Sequence, residues 1–449
     1  EGGLYGIEDF RRAAGNCTAG PPPALLPPMA EHLGAVEVAE IARPGGARRG
    51  LRATSRGAAP GDLLICACAL VRTAAGTLPV ASVASSASSL QAAANVYRRV
   101  VEISPHATRI FTHALSDGSG SPLAPVPLKW LSWSGAPLEG ETTTLRPSEA
   151  VLRGVCATNA FTESGTESIY PAVCMANHSC DANALVVKAG DALLLRARRR
   201  ILRGEEVTIG YFDTMRPLAE REERCRSWGF LCDCPRCVAE RQVEKEKLLS
   251  AYCALSQMSF LCGPIPAFVP DDSDEEGGLD VVSAGLASLE AVGSLGLGDA
   301  MRQWLRASFF PLYEQRMQQT GSQEEYKKVL CTLEAVAPGS FLHCRHAVAT
   351  WDHARLARAA AAAAEIAAVE SFEASSANAM DDASTPSAIA NNRALRKLQK
   401  RQQAAADAAT AAASEAAHEE KAARRRCLVA HSLRYGPRPE AELLELAQE

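Results

Sequence analysis

No stretch of this 449-residue chain is apolar for long enough to cross a membrane. Its most concentrated apolar run, Leu63 to Val71, is about half the ~20 residues a span requires and reads as a buried strand. A basic excess is also missing. Forty-seven Lys and Arg stand against 52 Asp and Glu, for a formal net charge of −5, which argues against a dedicated nucleic-acid binder. No signal-peptide pattern is seen, and the chain opens on Glu1, as a piece of a longer protein would. No repeat of about 34 residues emerges, so periodicity does not support tandem tetratricopeptide units. Cysteine is absent from residues 73–150, although the chain holds 15. That count is odd, the chain is long, and several of the cysteines have metal-like spacing. These features exclude the disulfide scaffold of a small secreted domain and favour a reducing, intracellular compartment, cytoplasm or nucleus.

What is present suits two or three globular domains. Hydrophobic residues make up 47%, inflated by alanine, and charged residues 22%. Residues 1–35 end in Pro21-Pro22-Pro23 and Pro27-Pro28, an extended lead-in. Val36 to Ile41 alternates apolar and polar residues as a half-buried strand does. Pro60-Gly61 marks a tight turn into the strand 63–71. Residues 73–150 read as an insertion, with helical spacing over Leu90 to Val101 and a local cluster around Trp130 and Trp133. Helical patterns dominate from Arg241. A linker from Pro264 to Gly278 carries an acidic, solvated run, and amphipathic helices are expected over 279–357. Residues 358–449 form an Ala-rich tail of long exposed or partly disordered helices, because alanine favours helix yet buries little.

Three local patterns carry chemistry. Cys232, Cys234 and Cys237 form C-x-C-x-x-C, with Pro235 tightening the turn. A structural zinc site needs four tetrahedral ligands, and thiolates at this spacing supply three. Cys180 is the preferred fourth ligand and Cys225 the alternative. Asn177-His178 is a polar pair in an otherwise apolar stretch. Gly204-Glu205-Glu206 turns into the strand Val207-Thr208-Ile209, which delivers Tyr211 at its end. Taken singly, His178 is a satisfied core histidine and Tyr211 a strand tyrosine with its hydroxyl at the rim. Phe161, Trp228 and Phe230 are likewise core residues when taken one at a time.

Their order says more. Asn159-Ala160-Phe161-Thr162, Ile169-Tyr170-Pro171, Asn177-His178-Ser179-Cys180, the Gly204–Tyr211 segment and the cysteine clip resemble the SET family in sequence and spacing, over residues 36–72 and 150–240. Within that family they resemble the SMYD-like and tetratricopeptide-SET branch. The resemblance implies an α+β protein: a mostly-β SET fold over 36–240, closed by a post-SET zinc clip at 225–240. A helical region at 241–357 and the Ala-rich tail would follow. It implies that the Asn177–Cys180 segment and the chain leading to Tyr211 form a knot-like crossing. Arg49, Gly50, Asn159, Asn177, His178, Tyr211 and Phe230 would hold S-adenosylmethionine. Phe161, Tyr211 and Trp228 would line a channel for a substrate lysine, with Tyr211 as the catalytic residue. Cys180, Cys232, Cys234 and Cys237 would bind structural zinc.

The activity so implied is methyl transfer to the ε-amine of a lysine exposed on a protein, histone or otherwise. No nucleic acid or membrane is expected as a direct partner. The alternative is a catalytically weak or inactive SET scaffold that binds partners through its helical region. The sequence departs from the branch in three places. It has no Cys/His-rich MYND finger in 73–150, it has Arg49 where a small or amide residue is common, and it has Trp228 where tyrosine is frequent.

Overall fold

The computed structural model describes residues 31–43, 46–54, 56–74, 105–119, 123–132, 147–163, 166–190, 192–261, 275–293, 298–381 and 388–448. The expected lead-in as far as residue 30, the helix expected over 90–101, Trp133 and residues 264–274 of the expected linker lie outside these residues; the linker's last four residues, 275–278, are helical instead of linker.

Among the described residues, eleven strands build three sheets. They are β1 (His32–Leu33), β2 (Val36–Ile41), β3 (Arg48–Ala53), β4 (Leu63–Cys68), β5 (Val71–Ala74), β6 (Ala160–Glu163), β7 (Thr166–Ile169), β8 (Asn177–His178), β9 (Ala184–Ala189), β10 (Ala192–Ala197) and β11 (Glu206–Ile209). The first sheet runs β1-β4-β10-β9, the second β2-β3-β11-β8 and the third β5-β7-β6. Every pairing is antiparallel except β8 with β11, which sets Thr208 beside Asn177 and Ile209 beside His178 in parallel. These two segments therefore lie side by side, as the expected crossing requires.

The apolar run 63–71 is not one strand. It breaks at Ala69-Leu70, and Val71 opens β5 in a different sheet. The amide of Leu70 already donates to the carbonyl of Ile169 at 2.8 Å. Both sides of the break are buried, so hydrophobicity carries no mark of the change of sheet. β10 is buried along its whole length as an inner strand. The stretch expected as an insertion also feeds this core. Ile110, Phe111, Leu115, Trp130 and Leu131 pack with Leu51, Ile65, Tyr170 and Val207.

Twelve α-helices accompany the strands among the described residues. Two precede the last strands, α1 (Pro105–Arg109) and α2 (Glu149–Asn159), the latter N-capped by Ser148. After β11 come α3 (Leu218–Ser227), α4 (Pro235–Glu240), α5 (Leu249–Leu261), α6 (Glu275–Gly293), α7 (Asp299–Ser308), α8 (Phe310–Thr320) and α9 (Gln323–Val336). They enclose a second core around Leu305, Phe309, Phe310, Leu312, Val329 and Leu333. The Ala-rich tail forms two long helices, α10 (Phe341–Asp381) and α11 (Ala388–Tyr435), before α12 (Glu440–Gln448). Much of the pair is exposed, Leu356 and Ile366 included. Its base is not. Cys344, Ala347, Cys427 and Ala430 pack with Leu330. Gly339, at φ 72°, sits where a Cβ would meet Leu433 of α11 at 2.9 Å and Leu185 of β9 at 3.0 Å. The end of α11 thus returns to the first sheet.

Candidate functional site

The parallel pairing of β8 with β11 brings the chemistry-bearing residues together. Asn177, leaving β8, donates from Nδ2 to the carbonyl of Arg49 at 2.9 Å and to Oε1 of Glu206 at 2.8 Å. This approach requires glycine at position 50, where an added Cβ would stand 2.6 Å from the Asn177 amide nitrogen. Glu206 also pairs with Arg43, and Arg43 reaches Asp233 at 2.8 Å. One polar chain therefore runs from strand β3 through Asn177 to the cysteine clip. Arg43 and Asp233 carry no local signal in the sequence, and their roles exist only across about 190 residues of chain separation.

His178 is fixed from two sides. Its Nδ1 accepts the backbone N–H of Tyr211 at 3.0 Å, and its Nε2 lies 3.3 Å from Sγ of Cys180. Its ring stacks on Phe212 with centroids 4.6 Å apart, a partner that sequence reasoning missed. The hydroxyl of Tyr211 donates to the carbonyl of Ala176 at 2.9 Å. Burial, reinforced by Cys174 and Glu206, pushes the phenol pKa up, so the hydroxyl stays protonated at neutral pH. The Tyr211 ring lies 5.1 Å from Trp228 and 6.3 Å, edge-on, from Phe230. Phe161 is half-buried on the same core and meets Tyr170 edge-on at 5.8 Å.

Two of the residues named from sequence sit differently from their neighbours. Asn159 ends α2 and donates its amide to the carbonyls of Ser116 and Val155, both at 2.8 Å. Only its backbone carbonyl turns toward this region, accepting from Sγ of Cys174 at 3.4 Å. Arg49 keeps a buried Nη1 without a hydrogen-bond partner among the described residues. Burial lowers its pKa, with Cys174 opposing. A buried, unmatched guanidinium donor is suited to an anionic group of a ligand.

The sulfur atoms of Cys180, Cys232, Cys234 and Cys237 all lie within 4.8 Å of one another and all four residues are buried. None forms a disulfide. Sulfurs around tetrahedral zinc stand about 3.8 Å apart, given Zn–S near 2.3 Å, so this donor set fits such an ion. The local fold explains the convergence. Gly229, at φ 77°, turns the chain out of α3, and Pro235 at the start of α4 follows Cys234 directly. Cys237, three residues after Cys234, then falls on the same helical face. Cys180 arrives from the end of β8. Cys225 is fully buried nearby and groups with His178 and Cys180 instead.

A polar knot lies beneath the clip. Arg221 and Arg236 are fully buried and share one carboxylate, Glu240. Arg236 donates to Ser308 of α7 at 2.9 Å, and Ser308 donates to Glu240 at 2.9 Å. Arg221 Nη1 donates to Sγ of Cys237 at 3.1 Å. Two guanidiniums against one carboxylate leave a buried positive charge, which a thiolate at Cys237 would offset.

Residues 49–212 match the SET domain family. Histone-lysine N-methyltransferase SMYD3 of Mus musculus is 42% identical over 96 residues, covering 20% of this chain and 22% of that protein. The Homo sapiens protein of the same name gives the same figures. N-lysine methyltransferase SMYD2 of Gallus gallus is 40% identical over 82 residues, 18% of this chain and 19% of that protein. The matched stretch spans about a fifth of the length of these relatives.

Proposed function

Because the chain carries a SET domain of the SMYD type, we propose that it transfers a methyl group from S-adenosylmethionine to the ε-amine of a protein lysine. The observation that carries this reading is the convergence of Arg49-Gly50 in strand β3, where a turn was expected, with Asn177 and Tyr211 on the β8–β11 edge, beside the Trp228 and Phe230 rings. When bound, S-adenosylmethionine would supply a methyl group on a positively charged sulfur.

The chain's own residues supply position. Arg49 Nη1, the buried donor without a partner among the described residues, fits the cofactor's carboxylate. Asn177 and His178 fix the backbone around it, and Phe230 offers a ring face. Phe161, Tyr211 and Trp228 form the walls through which a lysine enters, attracted first as a cation over aromatic faces. An apolar channel disfavours the ammonium form and lowers the lysine pKa, which frees the lone pair for attack. The Tyr211 O–H is already committed to Ala176, so its oxygen accepts from the amine and orients it. A phenol whose pKa is raised is a positioning hydroxyl and does not remove the proton at neutral pH. Alignment of amine, methyl and sulfur is worth up to about 7–11 kcal/mol.

Zinc is the ion that Cys180, Cys232, Cys234 and Cys237 would hold. The guanidinium on Cys237 supports this, since thiolates persist in a buried site when a metal binds them. The zinc would clamp Trp228 and Phe230 against β8.

Calorimetric titration of S-adenosylmethionine into the zinc-replete chain, paired with a methyl-transfer assay on lysine-rich histone protein, tests the reading. Wild type is expected to bind, Asn177→Ala to lose binding, and Tyr211→Phe to bind but transfer at least tenfold more slowly. A folded, zinc-bearing wild type that does not bind the cofactor refutes the enzyme reading in favour of a scaffold.

A further inference from the structure

A tetrahedral zinc takes four ligands, yet five buried cysteine thiols cluster here: Cys180, Cys225, Cys232, Cys234 and Cys237. Cys225 is the sulfur left over. Its Sγ lies within 4.8 Å of Sγ of Cys180 and of a ring nitrogen of His178. It is fully buried, so the thiol has no role as a surface group. Cys180 is also the only one of the four prospective ligands that comes from outside the C-x-C-x-x-C loop.

We infer that Cys225 is the resolving partner of Cys180 in an oxidative switch, forming a Cys180–Cys225 disulfide that expels the zinc. This rests on the zinc assignment made above. The two sulfurs must close from within 4.8 Å to about 2 Å, the length of an S–S bond. A Cys232–Cys234 bond is disfavoured by comparison, because one residue separates them in an extended segment; bonds from Cys237 to either are the competing outcome that the disulfide map distinguishes.

The oxidant required is a peroxide. One sulfur attacks a peroxide oxygen, the O–O bond breaks, and a sulfenic acid forms. The second sulfur displaces that oxygen as water and the S–S bond closes. The sulfur pair gives up two electrons. The Cys225 proton and one proton from solvent complete two waters, and the zinc, reduced from four thiolate ligands to the three of the clip, is released. Access is short: Leu231, Asp233 and Pro235 are exposed and alternate with buried Cys232 and Cys234, so a single layer of chain covers the sulfurs. Phe230, whose amide donates to the Cys225 carbonyl at 3.1 Å, moves with the bond. The switch therefore reaches the aromatic wall of the proposed site.

The test uses the full chain. Zinc content is measured first, then zinc release under hydrogen peroxide is followed with a colorimetric chelator, and disulfides are mapped by peptide mass spectrometry. Wild type is expected to release zinc with a Cys180–Cys225 linkage, and to recover it on reduction and resupply. Cys225→Ser and Cys225→Ala are expected to release at least tenfold more slowly, while Cys253→Ser and Cys331→Ser, at exposed cysteines, match wild type. Equal release from the Cys225 variants overturns the inference, as does a wild-type linkage confined to Cys232, Cys234 and Cys237. The latter reading needs no variant to fold. A chain that carries no zinc before oxidation refutes the metal assignment itself, which separates the two failures.

Discussion

Glu240→Gln probes the polar knot beneath the clip with almost no change of shape. Wild-type Glu240 accepts from Arg236 Nε at 2.7 Å through Oε1 and from Arg221 and Ser308 through Oε2. Both arginine side chains are 0% exposed and the glutamate side chain 3%. Glutamine removes the only carboxylate paired with them among the described residues and turns one acceptor into a donor facing a guanidinium. Breaking a buried ion pair from one side costs about 3–5 kcal/mol, because the remaining charge stays buried. Here the uncompensated charge would be two guanidiniums, relieved only by the sulfur of Cys237. With the cysteines as metal-bound thiolates the cost falls toward ~3 kcal/mol, and without metal it rises. Urea titration followed by circular dichroism reads this directly. At an m-value of about 2–3 kcal/mol/M the midpoint drops by roughly 1–1.5 M. Glu37→Gln, at an exposed pair with Arg52, serves as the reference and shifts by less than about 1 kcal/mol. If Glu240→Gln moves the midpoint no further than Glu37→Gln, the knot does not bear on stability and the charge argument for thiolates at the clip falls with it.

Gly50→Ala puts a methyl 2.6 Å from the Asn177 amide nitrogen. It should displace that side chain from Arg49 and Glu206, cost about 2–4 kcal/mol and abolish cofactor binding; calorimetry showing unchanged affinity would contradict the packing. His343 is buried near the Arg426 and Arg198 guanidiniums, and burial first, then these charges, lowers its pKa from 6.5 to about 3. Between those values the unfolded chain binds a proton that the folded chain does not, so stability is full above pH 6.5 and declines as pH falls. The decline reaches about 2 kcal/mol at pH 5. His343→Asn should flatten that part of the stability–pH curve, and an identical slope would exclude His343 as its source. Chelation of the metal should loosen the segment after α3, seen as a change in tryptophan emission and new proteolysis between Gly229 and Pro235. A fragment pattern unchanged by chelator would show that the four sulfurs do not need an ion to hold the clip.

The cysteine clip was legible because its geometry is local. C-x-C-x-x-C at a helix start places its sulfurs together whatever the rest of the chain does. The fourth partner was not decided locally. Cys180 and Cys225 were both available, and only the arrival of β8 beside the clip puts Cys180 among the other three, with Cys225 one step aside. The strand before Tyr211 was legible from its turn and alternation. The run 63–71 misled, because a continuous apolar stretch looks the same whether it stays in one sheet or passes between two. The burial of Arg221 and Arg236 had no signal at all. In sequence they are ordinary cations on short charged helices, and their cost becomes tolerable only where Glu240, Ser308 and Cys237 close around them.

Spacing and order thus settled the kind of domain, the three clip cysteines and the identity of the polar and aromatic residues near its end. Those are properties of short segments, whose turns and alternation follow from backbone sterics and side-chain type. The tertiary structure decided which donor meets which acceptor: Asn177 on Arg49 and Glu206, Arg43 between Glu206 and Asp233, and the core role of Ile110, Phe111, Leu115, Trp130 and Leu131. These contacts join residues far apart in sequence. A hydrogen bond or a buried charge constrains only the chemistry of its partner, and the partner's position in the sequence stays open until the chain has folded.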